Sequence, residues 1–246
     1  MLQLLKNWIY RLKPYRAKFQ AYYQGTGWEC PESKSGPGST LEATKAIREA
    51  LPGIFRKYGI KSAVDIPCGD FNWMKQVNLD GIDYRGLDIV GQLVAENTER
   101  YGRANIRFDV WDVMKTTPPP GDLLICRDCL FHYTTPLAMK GLRNLMAANA
   151  RYLLTTTFPP VVGNRELFAT GWFRPINLQL PPFNLPPPLE LIMEEPERGK
   201  ALGLWKVGEI RAEGGERRAV GSEQKTVGRG RRGKAEEREE ERREAR

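Results

Sequence analysis

Residues 62–74 read SAVDIPCGDFNWM, and the rest of the chain is organised around them. The run from Ser62 to Ile66 is largely apolar, carries Asp65 near its end, and stops at the turn Pro67-Cys68-Gly69-Asp70. That order predicts a buried parallel strand that ends abruptly and feeds a short helix over 72–77. In an open α/β sheet the crevice beyond the carboxyl end of the first strand is where nucleotide-like ligands sit, because the backbone turns tightly there and helix N-terminal amides point outward. Gly69 is the residue that would let a ligand approach the backbone closely. Alone, the stretch also fits an ordinary strand-to-helix connection, so the segments that follow must decide.

Residues 82–89 (IDYRGLDI) read as a second strand that again ends in an acid, and Asp88 lies 23 residues beyond Asp65. A carboxylate about twenty residues on, at the tip of the neighbouring strand, is placed to accept both hydroxyls of a ribose. A helical crossover is expected over 90–101 and a third strand over 105–110, near Asp109 and Asp112, one of which could accept a hydrogen bond from an adenine amino group. The dinucleotide fingerprint G-x-G-x-x-G is absent: Pro67 and Phe71 stand where glycines would help seat a pyrophosphate, which disfavours a nicotinamide enzyme. With Asp65 and Asp70 flanking Gly69, the turn suits a ligand carrying ammonium or sulfonium charge better than a phosphate.

These residues carry a family resemblance. DIPCGDF at 65–71 is similar to the first motif of class I S-adenosylmethionine-dependent methyltransferases, whose usual form is D-x-G-x-G-x-G, and Asp88 matches their ribose-binding acid. DLLICRDCLFHY at 122–133 resembles their fourth strand and the active-site loop after it, and RYLLTTTF at 151–158 their fifth strand. SGPGST, DIPCGDFNWM, CRDCLFH, LLTTTFP and WFRPINLQLPPF together are similar to a narrower group within that class, over residues 29–207. The resemblance implies a Rossmann-like, doubly wound α/β fold, with a mostly parallel seven-stranded sheet and a terminal antiparallel hairpin over 189–194 and 202–207. It implies S-adenosyl-L-methionine as cofactor. Asp65 would then organise the turn near the cofactor's amino-acid end, Cys68 and Gly69 would lie against it, and Asp88 would take the ribose. Asp112 is preferred to Asp109 for the adenine, and Cys126 and Arg127 would approach the sulfonium. Since Pro67 and Phe71 depart from the glycine pattern, Asp70, Asn72 or Trp73 would hold the methionine end with their side chains.

Methyl transfer is an in-line displacement, so its first requirement is alignment of donor and acceptor, which can supply on the order of 7–11 kcal/mol. A general base is needed only for a hydroxyl or a protonated amine. His132, the sole histidine, follows the fourth strand and has the ordinary pKa for such work; the same residue could instead brace the next helix. Asp128 could orient His132, hold a substrate hydroxyl, or cap a helix. Cys126, Cys129 and His132 have C-x2-C-x2-H spacing, but no fourth ligand is evident and no metal is assigned. The segment 159–188 is rich in proline and aromatic residues, and a long insertion of this kind tends to be functional; the resemblance implies that it is the acceptor side, with Asn164, Arg165, Trp172, Arg174 and Asn177 as candidates, a rigid flap on the sheet being the alternative.

Composition bounds the rest. The 246 residues suffice for one domain with a real core, and the formal charge of +8 is concentrated at the ends. Residues 1–28 hold five basic and no acidic side chains and 211–246 hold twelve basic and nine acidic, which leaves 29–210 balanced at 21 of each. The domain itself therefore gives no electrostatic reason for a nucleic-acid partner. Three parts are expected: a basic amphipathic helix in 1–28, the methyltransferase domain in 29–210, and a charged, disordered tail in 211–246. In the first, the aromatic residues of 1–24 could pack on the domain, form a lid over a substrate cleft, or touch a membrane surface. Ser39 and Glu42 have the spacing of a capping box, so a helix is expected from the SGPGST loop towards Leu51, and the loop itself is either a connector or a flap over a ligand. Four cysteines without framework spacing, and no apolar run long enough to span a bilayer, indicate a soluble, cytoplasmic protein.

The neutral domain favours a small-molecule or glycan hydroxyl as methyl acceptor. Two other readings stand beside it: an RNA or protein methyltransferase that uses the basic ends to hold its substrate, and a non-catalytic module that only binds the cofactor.

Overall fold

The computed structural model describes residues 13–26 and 28–210; positions 1–12 and the charged tail lie outside the described residues. Seven strands form one sheet: β1 (Ser62–Asp65), β2 (Asp83–Asp88), β3 (Ile106–Val110), β4 (Gly121–Cys126), β5 (Ala150–Thr157), β6 (Glu190–Glu195) and β7 (Lys200–Lys206). Their order is β3-β2-β1-β4-β5-β7-β6. The first five are parallel, and β7 runs antiparallel to both β5 and β6, as the expected terminal hairpin requires. The order reverses between β1 and β4, so the crevice above their carboxyl ends is the switch point of the sheet.

Strand periodicity sorts the core into two layers. Ala63, Leu123, Ile125 and Leu154 face one side, where α2 (Lys45–Tyr58) and α3 (Gly91–Tyr101) cover them. Val64, Leu124, Cys126 and Leu153 face the other, under α4 (Thr135–Ala147) and the proline-bearing segment, which inserts Ile176, Leu178, Phe183 and Leu185. A short helix, α1 (Tyr15–Ala21), lies on this second side, with Tyr15 and Phe19 packed against Tyr133 at ring distances of 5.7 and 5.3 Å. No helix among the described residues is long and apolar enough to cross a membrane.

Most element boundaries fall within two residues of the expected ones; two departures bear on the site. The helix expected over 72–77 is only a 3-10 turn, Met74–Gln76. Phe71 at φ 59° has already reversed the chain there, and the Asn72 side chain donates to Glu32 at 2.8 Å and to the Ser39 carbonyl at 3.1 Å. The Ser39–Glu42 capping box does not form either, because Pro37–Ser39 is itself a 3-10 turn and α2 begins only at Lys45. That helix then runs past Leu51 and through Pro52 to Tyr58. An interior proline costs about 3 kcal/mol. Burial of Ile47, Leu51, Ile54 and Phe55, at about 1.5–3 kcal/mol each, outweighs it.

Candidate active site

At the switch point the sheet opens into a cavity of about 280 Å³, near the lower end of the roughly 300–1,000 Å³ of small-molecule sites. Its floor is the β1 turn and the tip of β2. Gly69 sits in the left-handed region at φ 58°, and a Cβ there would meet the Ser35 hydroxyl at 2.3 Å. The turn and the SGPGST loop are thus in direct contact, and residues 34–39 line the cavity. Asp88 forms the adjoining wall. Its Oδ2 accepts the Gly69 amide at 3.2 Å and its Oδ1 the Val90 amide at 2.9 Å, which fixes the carboxylate while leaving further lone pairs to accept from a ligand. Burial pushes its pKa up to about 6, against the lowering effect of those amides.

Asp65 lies behind this floor, 1% exposed and outside the cavity lining. Tyr84 donates to its Oδ2 at 2.7 Å, its Oδ1 has no partner, and burial raises it to about 7. Cys68 and Trp73 line the cavity, whereas Asp70 and Asn72 do not. Asp70 pins the flap instead, accepting from the Ser33 hydroxyl, the Lys34 amide and the Ser35 hydroxyl at 2.8–3.1 Å. Phe71 keeps the backbone conformation that favours glycine and buries its ring among Tyr84, Tyr101 and Phe108, each 5.2–5.3 Å away. At the end of β3, Asp112 lines the cavity and accepts the Tyr15 hydroxyl at 2.7 Å, while Asp109 pairs with Arg85 at 2.7 Å and lies outside the lining.

The rim opposite is an ion network. Arg127, at the tip of β4, donates to Glu194 at 2.9 Å and to the Gly38 carbonyl at 2.7 Å, contacts Asp128 at 3.1 Å, and lies 5.6 Å from the centre of the Trp73 ring. Lys200 donates to Asp128 at 2.7 Å and approaches Glu194 and Glu195 at 3.4 and 3.3 Å. Burial would raise the Asp128 pKa, but Arg127 and Lys200 hold it below the usual carboxylate range. Asp128 also exchanges hydrogen bonds with Thr156. It neither caps a helix nor bonds to His132 among the described contacts. Cys126 points into the core beneath this loop, outside the lining; Cys129 reaches the cavity.

His132 ends a 3-10 turn on the far side, Leu130–His132. Its Nδ1 lies 2.9 Å from the Trp172 carbonyl. A carbonyl only accepts, so Nδ1 carries the proton and Nε2 keeps its lone pair. Burial lowers the pKa, keeping the ring neutral near pH 7. Of the five acceptor-side candidates, none lines the cavity by its side chain. Asn164 and Asn177 brace the proline-bearing segment through backbone contacts at 2.8–3.1 Å, and Arg165 is exposed. Arg174 is buried against Glu166 at 3.4 Å, with Nε and one terminal nitrogen unpartnered. Trp172 acts through its carbonyl. The residues that sequence reasoning missed are Glu194, Glu195 and Lys200 of the hairpin, and the aromatic wall of Trp28, Phe131, Phe158 and Phe173. Pairs 67 and 72 positions apart, such as Arg127–Glu194 and Asp128–Lys200, leave no local signal.

No protein-family model matches the sequence, and no curated protein is significantly similar to it. Solved structures are. TnmH superimposes with a TM-score of 0.50 at 16% identity, over 69% of this chain; the chain spans only 58% of TnmH. The methyltransferase domain of bacterial CtHen1 (CN form) gives 0.50 at 11% identity, over 67% of this chain and 99% of that domain. Magnesium protoporphyrin IX methyltransferase ChlM from Synechocystis, solved with bound SAM, gives 0.44 at 19% identity, over 60% and 78%. The architecture is that of the class I methyltransferase fold.

Proposed function

We propose that this chain is an S-adenosylmethionine-dependent methyltransferase acting on a hydroxyl of a small molecule. The observation that carries the reading is Asp88: a buried carboxylate at the tip of β2, held by two backbone amides and facing a cavity at the switch point. The residues present fit the cofactor. Gly69 presents only backbone to the cavity, and the buried Asp65 Oδ1 is an unsatisfied acceptor behind it. Asp88 would accept the ribose hydroxyls. Val90, Leu93 and Val113 offer apolar walls for a purine, with Asp112 at their edge.

When bound, the cofactor would supply an electrophilic methyl group to the acceptor oxygen, with S-adenosylhomocysteine as the leaving group. The chain's own residues align and deprotonate the acceptor. His132 Nε2 takes the hydroxyl proton, and the Trp172 carbonyl holds the ring in the required tautomer. The flap at 34–39, pinned by Asp70, excludes water from the cofactor side.

Thermal unfolding of the full chain with S-adenosylmethionine, S-adenosylhomocysteine and NADH tests the reading, because a ligand that binds only the folded state raises the melting temperature. Both sulfur nucleosides should raise it and NADH should not. The reverse pattern would remove the methyltransferase reading.

A further inference from the structure

Resting on the methyltransferase reading above, we propose that the acceptor is a planar, uncharged hydroxyarene, held by the aromatic wall around His132. The imidazole lies between two rings, 5.2 Å from Trp28 and 4.4 Å from Phe131. Phe131, Phe158 and Phe173 continue the wall in edge-to-face contacts at 5.2–5.9 Å. Phe173 is 57% exposed although it borders the cavity, so among the described residues a large apolar face stands at the mouth. Rings arranged in this way accept another ring at stacked or edge-on distances, with the hydroxyl directed at Nε2.

The polar groups exclude other classes. Among the described residues, each of the four cations lining the cavity is ion-paired: Lys34 with Glu96, Arg127 and Lys200 within the rim network, and Arg198 with Glu195. The two buried ones, Arg127 and Lys200, are committed to the rim, so the interior offers no unpaired buried cation to a carboxylate or phosphate on the acceptor. A glycan needs amides or carboxylates with free hydrogen-bonding capacity, yet among the described residues no Asn or Gln lines the cavity. Asn164 and Asn177 are engaged within the proline-bearing segment, and Asp88 and Asp112 are taken by the cofactor in the reading above. Of the small-molecule and glycan hydroxyls expected from sequence, the site favours the aromatic small molecule.

The test is titration of the full chain, saturated with S-adenosylhomocysteine, with 1-naphthol, its saturated analogue decahydro-1-naphthol, and methyl α-D-glucoside. Naphthol should bind about tenfold or more tighter than either of the others, as one or two aromatic contacts allow. Trp28→Ala and the exposed Phe173→Ala should each weaken naphthol severalfold while leaving S-adenosylhomocysteine affinity unchanged, and Trp28→Phe should restore most of the loss. Tighter glucoside binding, equal or undetectable binding of all three, or naphthol binding indifferent to both alanine variants would overturn the aromatic assignment with the cofactor reading intact. Failure of S-adenosylhomocysteine itself to bind would remove both.

Discussion

The floor and the rim of the cavity are both built on buried carboxylates, and they are opposites. On the floor side, Asp88 in the wall and Asp65 behind it are hydrogen-bonded by backbone amides and by a tyrosine and have no cation in direct contact, so burial lifts them to about 6 and about 7. On the rim, Asp128 sits between Arg127 and Lys200 and is held below its ordinary value. A carboxylate with lone pairs unused in a dry wall is a recognition group, stabilised when a ligand donates to it. One whose charge is matched by its neighbours is scaffolding: it joins the β4 loop to the hairpin and offers a ligand little. On the proposed reading the chemistry would lie on the floor and at His132, with the more heavily charged rim setting the shape of the site.

The largest effect that would break this contrast is on stability. Lys200→Met should lower the unfolding free energy by about 3–5 kcal/mol in urea titrations, because it strands Asp128 and Glu194 beside a single guanidinium. Little change would mean that the rim is not a buried network.

The next effect is pH-dependent and has opposite signs in the two regions. The folded floor acids bind protons that the unfolded chain has released between about pH 4 and 7. Their contribution is fully present below about pH 4 and is lost as pH rises through about 6 and 7. The ligand-free protein should thus be more stable at pH 5 than at pH 8, by on the order of 4 kcal/mol. Asp128, whose pKa is lowered, contributes stability above the ordinary carboxylate range and loses it only in more acidic solution. Denaturant midpoints measured across this range would expose a flat profile if the floor acids were unperturbed.

Smaller again is Gly69→Ala, which forces a side chain to φ 58° and against Ser35; about 1–3 kcal/mol of stability should be lost by chemical denaturation, with weaker cofactor binding. The smallest is Tyr15→Phe. Removing its hydrogen bond to Asp112 should cost about 1 kcal/mol in the same assay and loosen α1 over the cavity.

The floor was legible in sequence because it is local. Strands ending in Asp65 and Asp88, separated by a tight turn, follow from apolar runs and turn formers alone, and the parallel order follows from the crossovers between them. Phe71 was harder: its backbone keeps the glycine conformation while its side chain joins an aromatic cluster, so the residue type concealed the glycine-like geometry of the turn. Asp70 and Asn72 were expected at the ligand, yet loops thirty to forty residues upstream engage them first. The rim was not legible at all, since its pairs join residues brought together only by the closing hairpin. His132 was found as a lone histidine after a strand, but its tautomer depends on a carbonyl forty positions away.

The most direct test of the central claim is calorimetric titration of the full chain with S-adenosylhomocysteine at pH 7.5, for wild type and Asp88→Ala, with circular dichroism to verify that both are folded. Losing two hydrogen bonds to a charged acceptor should weaken binding by at least about 100-fold. A folded wild type that does not bind, or a folded variant that binds as tightly as wild type, would contradict the account of the floor as the recognition site.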